Sequence, residues 1–445
     1  MQAVPLSFRD QRGLLLLVTA AWTFSGVTLY LLAPRTAPVL LPLCVVAPVA
    51  WHWAIIGRVP WQQPSPVIVL LLLAGLYLLI NGTWSLSPAS AYWEIASLFV
   101  YIGALYTTLN TLHETETAVL RAMAIGFFAG MMLGAAFLCI EAFGQQTVHR
   151  LLISYVPSLR PEPRHMHIES DWVTFLGPYL LNRSMTALVL LFWPAALVVT
   201  RLDMTRRKQT YVMLGLGLVA ATIFRSDHAT SKIAFLAAAA TYAVFRVAPT
   251  LMRRLTIAGW FALTLLVVPV AALSYSGQLY LASWMPISAR HRIVIWGYTS
   301  EQIAKAPLLG AGMSTARALN NPDDMDAPRA PGTDFRLSTS LHSHNGYLQT
   351  WYETGAVGAL ILLGLGILVL KSLATAPPEV QPYLYATFVS CALVGASSFS
   401  LWAPWFMASF GLVAVFGALA AEFAARQAAL KIDRCGTTTG GPIMS

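Results

Sequence analysis

The side chains best placed to do chemistry stand at 341–345, Leu-His-Ser-His-Asn, just ahead of a long apolar run. A neutral imidazole accepts a proton near pH 7, which makes His344 a candidate general base. If a helix starts near Asn345, the positive end of its dipole disfavours imidazolium and keeps that ring neutral. Cations recur in the same kind of polar segment: Arg225 and Lys232, Arg290 and Arg292, and further off Arg160, Arg164 and Arg183. A guanidinium fork matches two phosphate oxygens at once, so these residue types suggest a base beside an anion site. Lys232 and Arg292 weigh most, because each opens a helical-looking stretch, 231–240 and 292–304. The helix dipole opposes a cation there, whereas the same N-terminus favours a bound anion. A plainer reading gives these cations to lipid headgroups, or to surface pairs with Glu162, Glu169 and Asp171.

The elements that must carry them are membrane helices. Of 445 residues, 57% are hydrophobic and 11% charged, where soluble domains carry roughly a quarter charged residues. Apolar runs of membrane length fall near 13–33, 38–57, 66–82, 90–108, 118–143, 184–202, 209–225, 231–249, 255–275, 353–372, 380–400 and 403–425. They predict an all-α integral membrane protein of about twelve spans. One polytopic domain over 1–432 is expected, followed by a disordered cytoplasmic tail over 433–445. The first run is long enough to span and lacks a small-residue cleavage site, so it reads as a span and not as a removed leader. Cys44, Cys139, Cys391 and Cys435 have spacings that suit neither a disulfide framework nor zinc. The net charge of +9 sits largely in short clusters beside spans; topology, not nucleic-acid binding, accounts for it.

Lys and Arg set the orientation. Arg201, Arg206, Arg207 and Lys208 follow the sixth run, Arg246, Arg253 and Arg254 the eighth, and Arg426, Lys431 and Arg434 the last. With Arg9, Arg12 and Arg58 they share the cytoplasmic side if the count is twelve. Loops 144–183 and 276–352 then face outward, and both are long enough to hold short helices of their own. Their cations, Arg150, Lys305, Arg317, Arg329 and Arg336 among them, sit where topology disfavours them. A helix from 345 to 373 would be about 43 Å long, against roughly 30 Å of hydrocarbon. Its first two turns, with Gln349, Thr350 and Glu353, are expected to stand above the bilayer with His344 at their start. Two other clusters carry less weight. His165, His167 and Glu169 would share a face if extended, but their Pro- and Arg-rich setting reads as a broken basic loop, not a metal site. The acidic run 323–326 lies in an Asn-Pro turn region and reads as solvated.

His344-Asn345, nine residues and then Gly355-Ala-Val-Gly358 resembles the signature of the bacterial O-antigen ligase and polymerase family. Arg292-x-x-x-Trp296 and the block Ala-Pro-Leu-Leu-Gly-Ala-Gly-Met at 306–313 are similar to further family motifs, in the family's order, across about residues 225–365. Where the family usually has Ser-Arg opening a span, this chain has Ser231-Lys232, which keeps the charge and loses the fork. Arg225 is near enough in sequence to take part of that role.

The resemblance implies a GT-C type glycosyltransferase of the bacterial inner membrane with a periplasmic active site and an undecaprenyl-diphosphate-linked glycan as donor. For a ligase, the acceptor is lipid A-core and the product lipopolysaccharide. In that reading His344 takes the proton of the acceptor sugar hydroxyl, and Arg290, Arg292 and Lys232 stabilise the departing diphosphate. Arg160, Arg164 and Arg183 hold substrate phosphates, while Asn345, His342 and Trp296 support the site. The anomeric configuration inverts, and neither metal nor cofactor is needed, because a diphosphate is already a good leaving group. The partners are donor, acceptor and membrane lipids. An O-antigen polymerase or a protein O-oligosaccharyltransferase would share motif and donor and differ in acceptor. A transporter is the reading from another class, but the chain has no evident half-repeat, and its polar residues gather in loops instead of at a midplane.

Overall fold

The computed structural model describes residues 8–202, 204–319, 328–397 and 399–436, which are mostly helical. Helix α1 (Phe8–Leu32) leads into α2 (Ala37–Leu43) and α3 (Val46–Ile56), then α4 (Pro66–Asn81), α5 (Pro88–Glu114) and α6 (Thr117–Phe143). The long connection that follows holds α7 (Thr147–Tyr155) and an antiparallel hairpin of β1 (Met166–Glu169) and β2 (Trp172–Leu176). Next come α8 (Asn182–Arg201), α9 (Arg206–Arg225), α10 (Ala229–Val247), α11 (Pro249–Leu265) and α12 (Val267–Ser276). The second long loop carries α13 (Ile287–Ile303) and α14 (Thr315–Leu319), and the chain closes with α15 (Gly346–Ala374), α16 (Gln381–Ala396) and α17 (Pro404–Gly436).

Helix α8 is the centre of the bundle. Every residue of Ser184–Val199 is buried, as befits a helix that is apolar all round, and α1, α6, α16 and α17 pack about it. Helices α1 and α6 approach closely because Gly126, Gly130 and Gly134 recur every four residues along α6. A Cβ at Gly126 would stand 2.2 Å from the Ala20 carbonyl oxygen. With little hydrophobic drive between helices in lipid, such small-residue contacts supply the packing.

Each of the twelve apolar runs is helical, but fewer qualify as crossings. Among the described residues eight helices are long and apolar enough to span, or nine if α11 and α12, bent 61° apart, form one. Helix α16 has only 16 residues. Helix α9 begins on Arg206, Arg207 and Lys208 and ends on Arg225, and α10 carries Lys232 and Arg246; neither is among the eight. In the first long loop, where a Pro-broken basic loop was expected around 165–169, residues 166–169 form a strand. Ser170 and Asp171, both with positive φ, make the tight reversal, and Val173 and Leu176 bury the inner face of β2. Helix α17 runs to Gly436, into the stretch expected to be tail; residues 437–445 and the acidic run 323–326 lie outside the described residues.

Candidate active site

The glycines of the two sequence blocks turn out to be halves of one joint. Helix α15 breaks at Gly355 (φ 63°, ψ −163°), and the segment 307–313 runs through the break. The amides of Ala311 and Gly312 donate to the carbonyls of Tyr352 and Glu353 (both 2.9 Å), while those of Ala356 and Val357 donate to Pro307 and Leu308 (2.9 and 3.3 Å). Helix α4 completes the set: the Tyr77 hydroxyl donates to the Thr354 carbonyl at 2.7 Å, and Asn81 Nδ2 reaches the carbonyls of Leu309 and Glu353 at 3.0 and 3.1 Å. An interrupted helix inside a membrane protein is tolerable only when its freed backbone groups find such partners. Only glycine fits the crossing. A Cβ at Gly355 would lie 2.3 Å from the Leu308 oxygen, and one at Gly310 (φ 72°) 2.5 Å from the Glu353 carbonyl.

The polar residues ahead of the break are turned into the protein. Gln349, Thr350 and Glu353 are buried. Gln349 Nε2 donates to Ser400 Oγ (3.1 Å) and its Oε1 accepts from the Leu401 amide (3.0 Å). The Glu353 carboxylate accepts from the Ala316 amide (3.1 Å), the Gln349 amide and the Trp402 indole. The polar excess of the first turns is used to bind α14 and the α16–α17 link to the helix.

Above that joint, the histidine turn is held from three sides. Asn345 caps α15, its Oδ1 accepting from the amides of Tyr347 and Leu348 at 3.1 Å, as Asn does well at this position. His344 therefore stands one residue outside the helix, in left-handed backbone (φ 53°). A non-glycine residue so held carries strain, and such strain gathers at functional sites. The His344 amide donates to His342 Nδ1 (3.1 Å), and the two rings lie 4.2 Å apart. From α13, the Trp296 indole donates to the Ser343 carbonyl at 2.8 Å. Four residues earlier on the same helix, Arg292 Nη1 donates to Ser397 Oγ at 3.1 Å. The Arg-x-x-x-Trp spacing thus puts a cation and the clamp of the histidine turn on one helix face.

Ser397 collects a third helix. Thr230, in the first turn of α10, donates to the Ser397 carbonyl at 2.9 Å. His228 precedes that helix as its N-cap residue, buried, with Nδ1 2.7 Å from Ser231 Oγ. Burial first, and the Arg292 charge second, push His228 down to about 4. Burial, then His344, Arg317 and Arg292, push His342 down to about 3. Burial also lowers Arg292 from its usual range, yet guanidinium stays charged at any working pH. The cluster is therefore cationic, with neutral imidazoles beside it.

Not every cation read from the sequence joins it. Arg225 is exposed at the end of α9, whereas Lys232 is half-buried in the first turn of α10, the turn whose Thr230 bonds Ser397. Arg290 points the other way on α13, its Nε donating to the Tyr280 carbonyl at 2.6 Å. Arg160 braces the first loop, with bonds to the carbonyls of Ile153 and Asp171, both at 3.2 Å. The Arg164 side chain lies outside what is described. Arg183 enters from α8 against the rings of Trp405 and Phe399, 5.7 and 5.9 Å from their centroids. Sequence reasoning passed over His228, Ser397 and Arg35, and gave Arg317 no role. Arg35 alone had a signal, a cation in the short link between the first two apolar runs.

Residues 214–363 match the family model described as O-antigen ligase. This stretch is similar to the O-antigen ligase domain. A Rickettsia conorii protein described as a candidate polysaccharide ligase is 26% identical over 241 residues, covering 53% of this chain and 56% of that protein. A Rickettsia felis counterpart is 25% identical over 252 residues, covering 55% and 59%. The chain thus spans little more than half the length of the relatives it matches. The O-antigen ligase stretch contains His228, Lys232, Arg292, Trp296, the 307–313 segment and the histidine turn; Arg35, Arg183 and Ser397 lie outside it.

Proposed function

We propose that the chain is an O-antigen ligase, a glycosyltransferase that moves a glycan from undecaprenyl diphosphate onto a sugar hydroxyl of lipid A-core and so completes lipopolysaccharide. The observation that carries this reading is the histidine turn clamped by Trp296 beside Arg292, with His342 bonded to the His344 amide. His344 accepts the proton of the attacking hydroxyl as its oxygen bonds to the anomeric carbon. The bond from that carbon to the diphosphate breaks with inversion, and the charge released onto phosphate oxygens is met by Arg292 and Lys232, with Arg317 beside them. Arg183 and Arg35 receive a further phosphate of donor or acceptor; Arg290 and Arg160 are bonded to backbone carbonyls. Twelve crossings in the inner membrane, with this cluster on the periplasmic face, fit the distribution of Lys and Arg.

The test is reconstitution with a lipid-linked glycan and three acceptors. Lipid A-core shifted to a ladder supports the ligase. Elongated donor points to a polymerase, glycosylated protein to a protein O-oligosaccharyltransferase, and no new glycosidic bond to a transporter. His344→Ala is expected to abolish transfer while the protein still folds in the membrane; transfer at the wild-type rate sinks His344 as the base.

A further inference from the structure

The first long loop folds into a unit of its own. Ile153 of α7 and Val173 and Leu176 of β2 bury against one another. Ser154 Oγ accepts from the Val173 amide at 2.9 Å, and Arg150 Nη1 donates to the Thr174 carbonyl at 2.7 Å. With its inner face taken, α7 still presents Val148, Leu151, Leu152 and Tyr155, all exposed. Their spacing of i, i+3, i+4 and i+7 is one stripe of a helix. The exposed Trp172 extends it, packed edge-to-face on Tyr155 at 5.3 Å.

The height of this stripe is fixed by its attachments. Helix α6 is a candidate span that ends at Phe143. Its last turn carries the fully buried Glu141, whose carboxylate accepts from the Val148 and His149 amides at 2.9 and 3.3 Å and so seats the start of α7 on the end of α6. At the other end, Gln146 Nε2 bonds the carbonyls of Leu176 and Gly177 at 3.1 and 3.2 Å, immediately before the span that opens at Pro178. Both ends of the unit are pinned to the ends of membrane helices, so its apolar stripe lies at the level of the membrane boundary. Aliphatic residues flanked by Tyr, Trp and Arg are the composition that interface favours.

We propose that α7 and the β1–β2 hairpin form an interfacial anchor, with Val148, Leu151, Leu152, Tyr155 and Trp172 inserted at the acyl–headgroup boundary of the leaflet nearest His344. The partner is the lipid surface itself. Arg183 follows the hairpin directly at the head of α8, so the anchor sets the level at which that guanidinium meets a lipid-borne phosphate.

Spin labels on single cysteines test this in a background with Cys44, Cys139, Cys391 and Cys435 replaced, in vesicles of phosphatidylethanolamine and phosphatidylglycerol. Labels at Leu152→Cys and, separately, Tyr155→Cys are compared with Ser170→Cys at the hairpin tip. Collisions with oxygen are expected to exceed those with a water-soluble nickel complex at 152 and 155, with the order reversed at 170. Nickel access at 152 and 155 equal to that at 170 overturns the proposal, since the stripe then faces water. Protection from both reagents overturns it too, because protein and not lipid would cover the stripe. Two separately labelled positions keep one misfolded variant from deciding the outcome, and the readout does not depend on glycosyl transfer.

Discussion

His342 and His344 divide two tasks between adjacent rings. His342 is pushed down to about 3, so it stays neutral and keeps Nδ1 free to accept the His344 amide. It thereby holds His344 in left-handed backbone and acts as a positioning residue. His342→Ala removes one hydrogen bond of about 1 kcal/mol, and kcat is expected to fall roughly fivefold with KM little changed. His342→Asn, which keeps an acceptor on the side chain, is expected to recover part of that loss; equal loss in both variants would argue against the amide bond. Arg292 has a different task, since it meets charge that develops during the reaction. Arg292→Lys keeps the charge and gives up the fork, so a fall in kcat of about 10²-fold is expected, measured with saturating donor.

The broken helix is where sequence and structure part company. Two glycine-containing blocks were legible as motifs, but nothing in either shows that Gly310 and Gly355 meet, because their contact is made by backbone atoms 45 positions apart in the chain. The partners of the polar first turns were equally out of sight. Helix length predicts how much of α15 exceeds the hydrocarbon, yet it does not reveal that Trp402, Ser400 and the Ala316 amide wait to bind Gln349 and Glu353. Cap and clamp were nearer to legible: Asn345 precedes the helix it caps, and Arg292 and Trp296 are one turn apart. Gly310→Ala and Gly355→Ala both add strain at positive φ, of order 1–3 kcal/mol, on top of backbone overlap. Each is expected to lower the thermal unfolding midpoint in detergent and to reduce transfer. Alanine at Gly417, where nothing stands within 4 Å of an added Cβ, serves as the control and should leave the midpoint unchanged.

At the scale of the whole molecule, the site exists only because distant parts of the chain meet. His228 comes from the link before α10, His342 from the loop before α15, and Arg292 from α13; Ser397, after α16, bonds both Arg292 and Thr230. Composition and window hydropathy made the helical membrane class and all twelve helical runs legible, but not this convergence, since each contributor is a short polar interruption with no periodicity of its own. Convergence on a cation has a consequence for stability against pH. In the unfolded chain both histidines titrate near 6.5, while in the folded protein they do so at about 4 and about 3. Between those values the unfolded chain binds more protons, so folding stability rises with pH there and is lost as pH falls from 6.5 toward 4. Each ring contributes at most about 1.4 kcal/mol per pH unit. The unfolding midpoint is therefore expected to drop as pH goes from 6.5 to 5, above the range in which exposed carboxylates titrate. Replacing both rings, by His228→Asn and His342→Asn together, should flatten that interval whatever it does to the midpoint at pH 7.5. An unchanged slope in the double variant would mean that neither ring is held neutral by Arg292 and its surroundings.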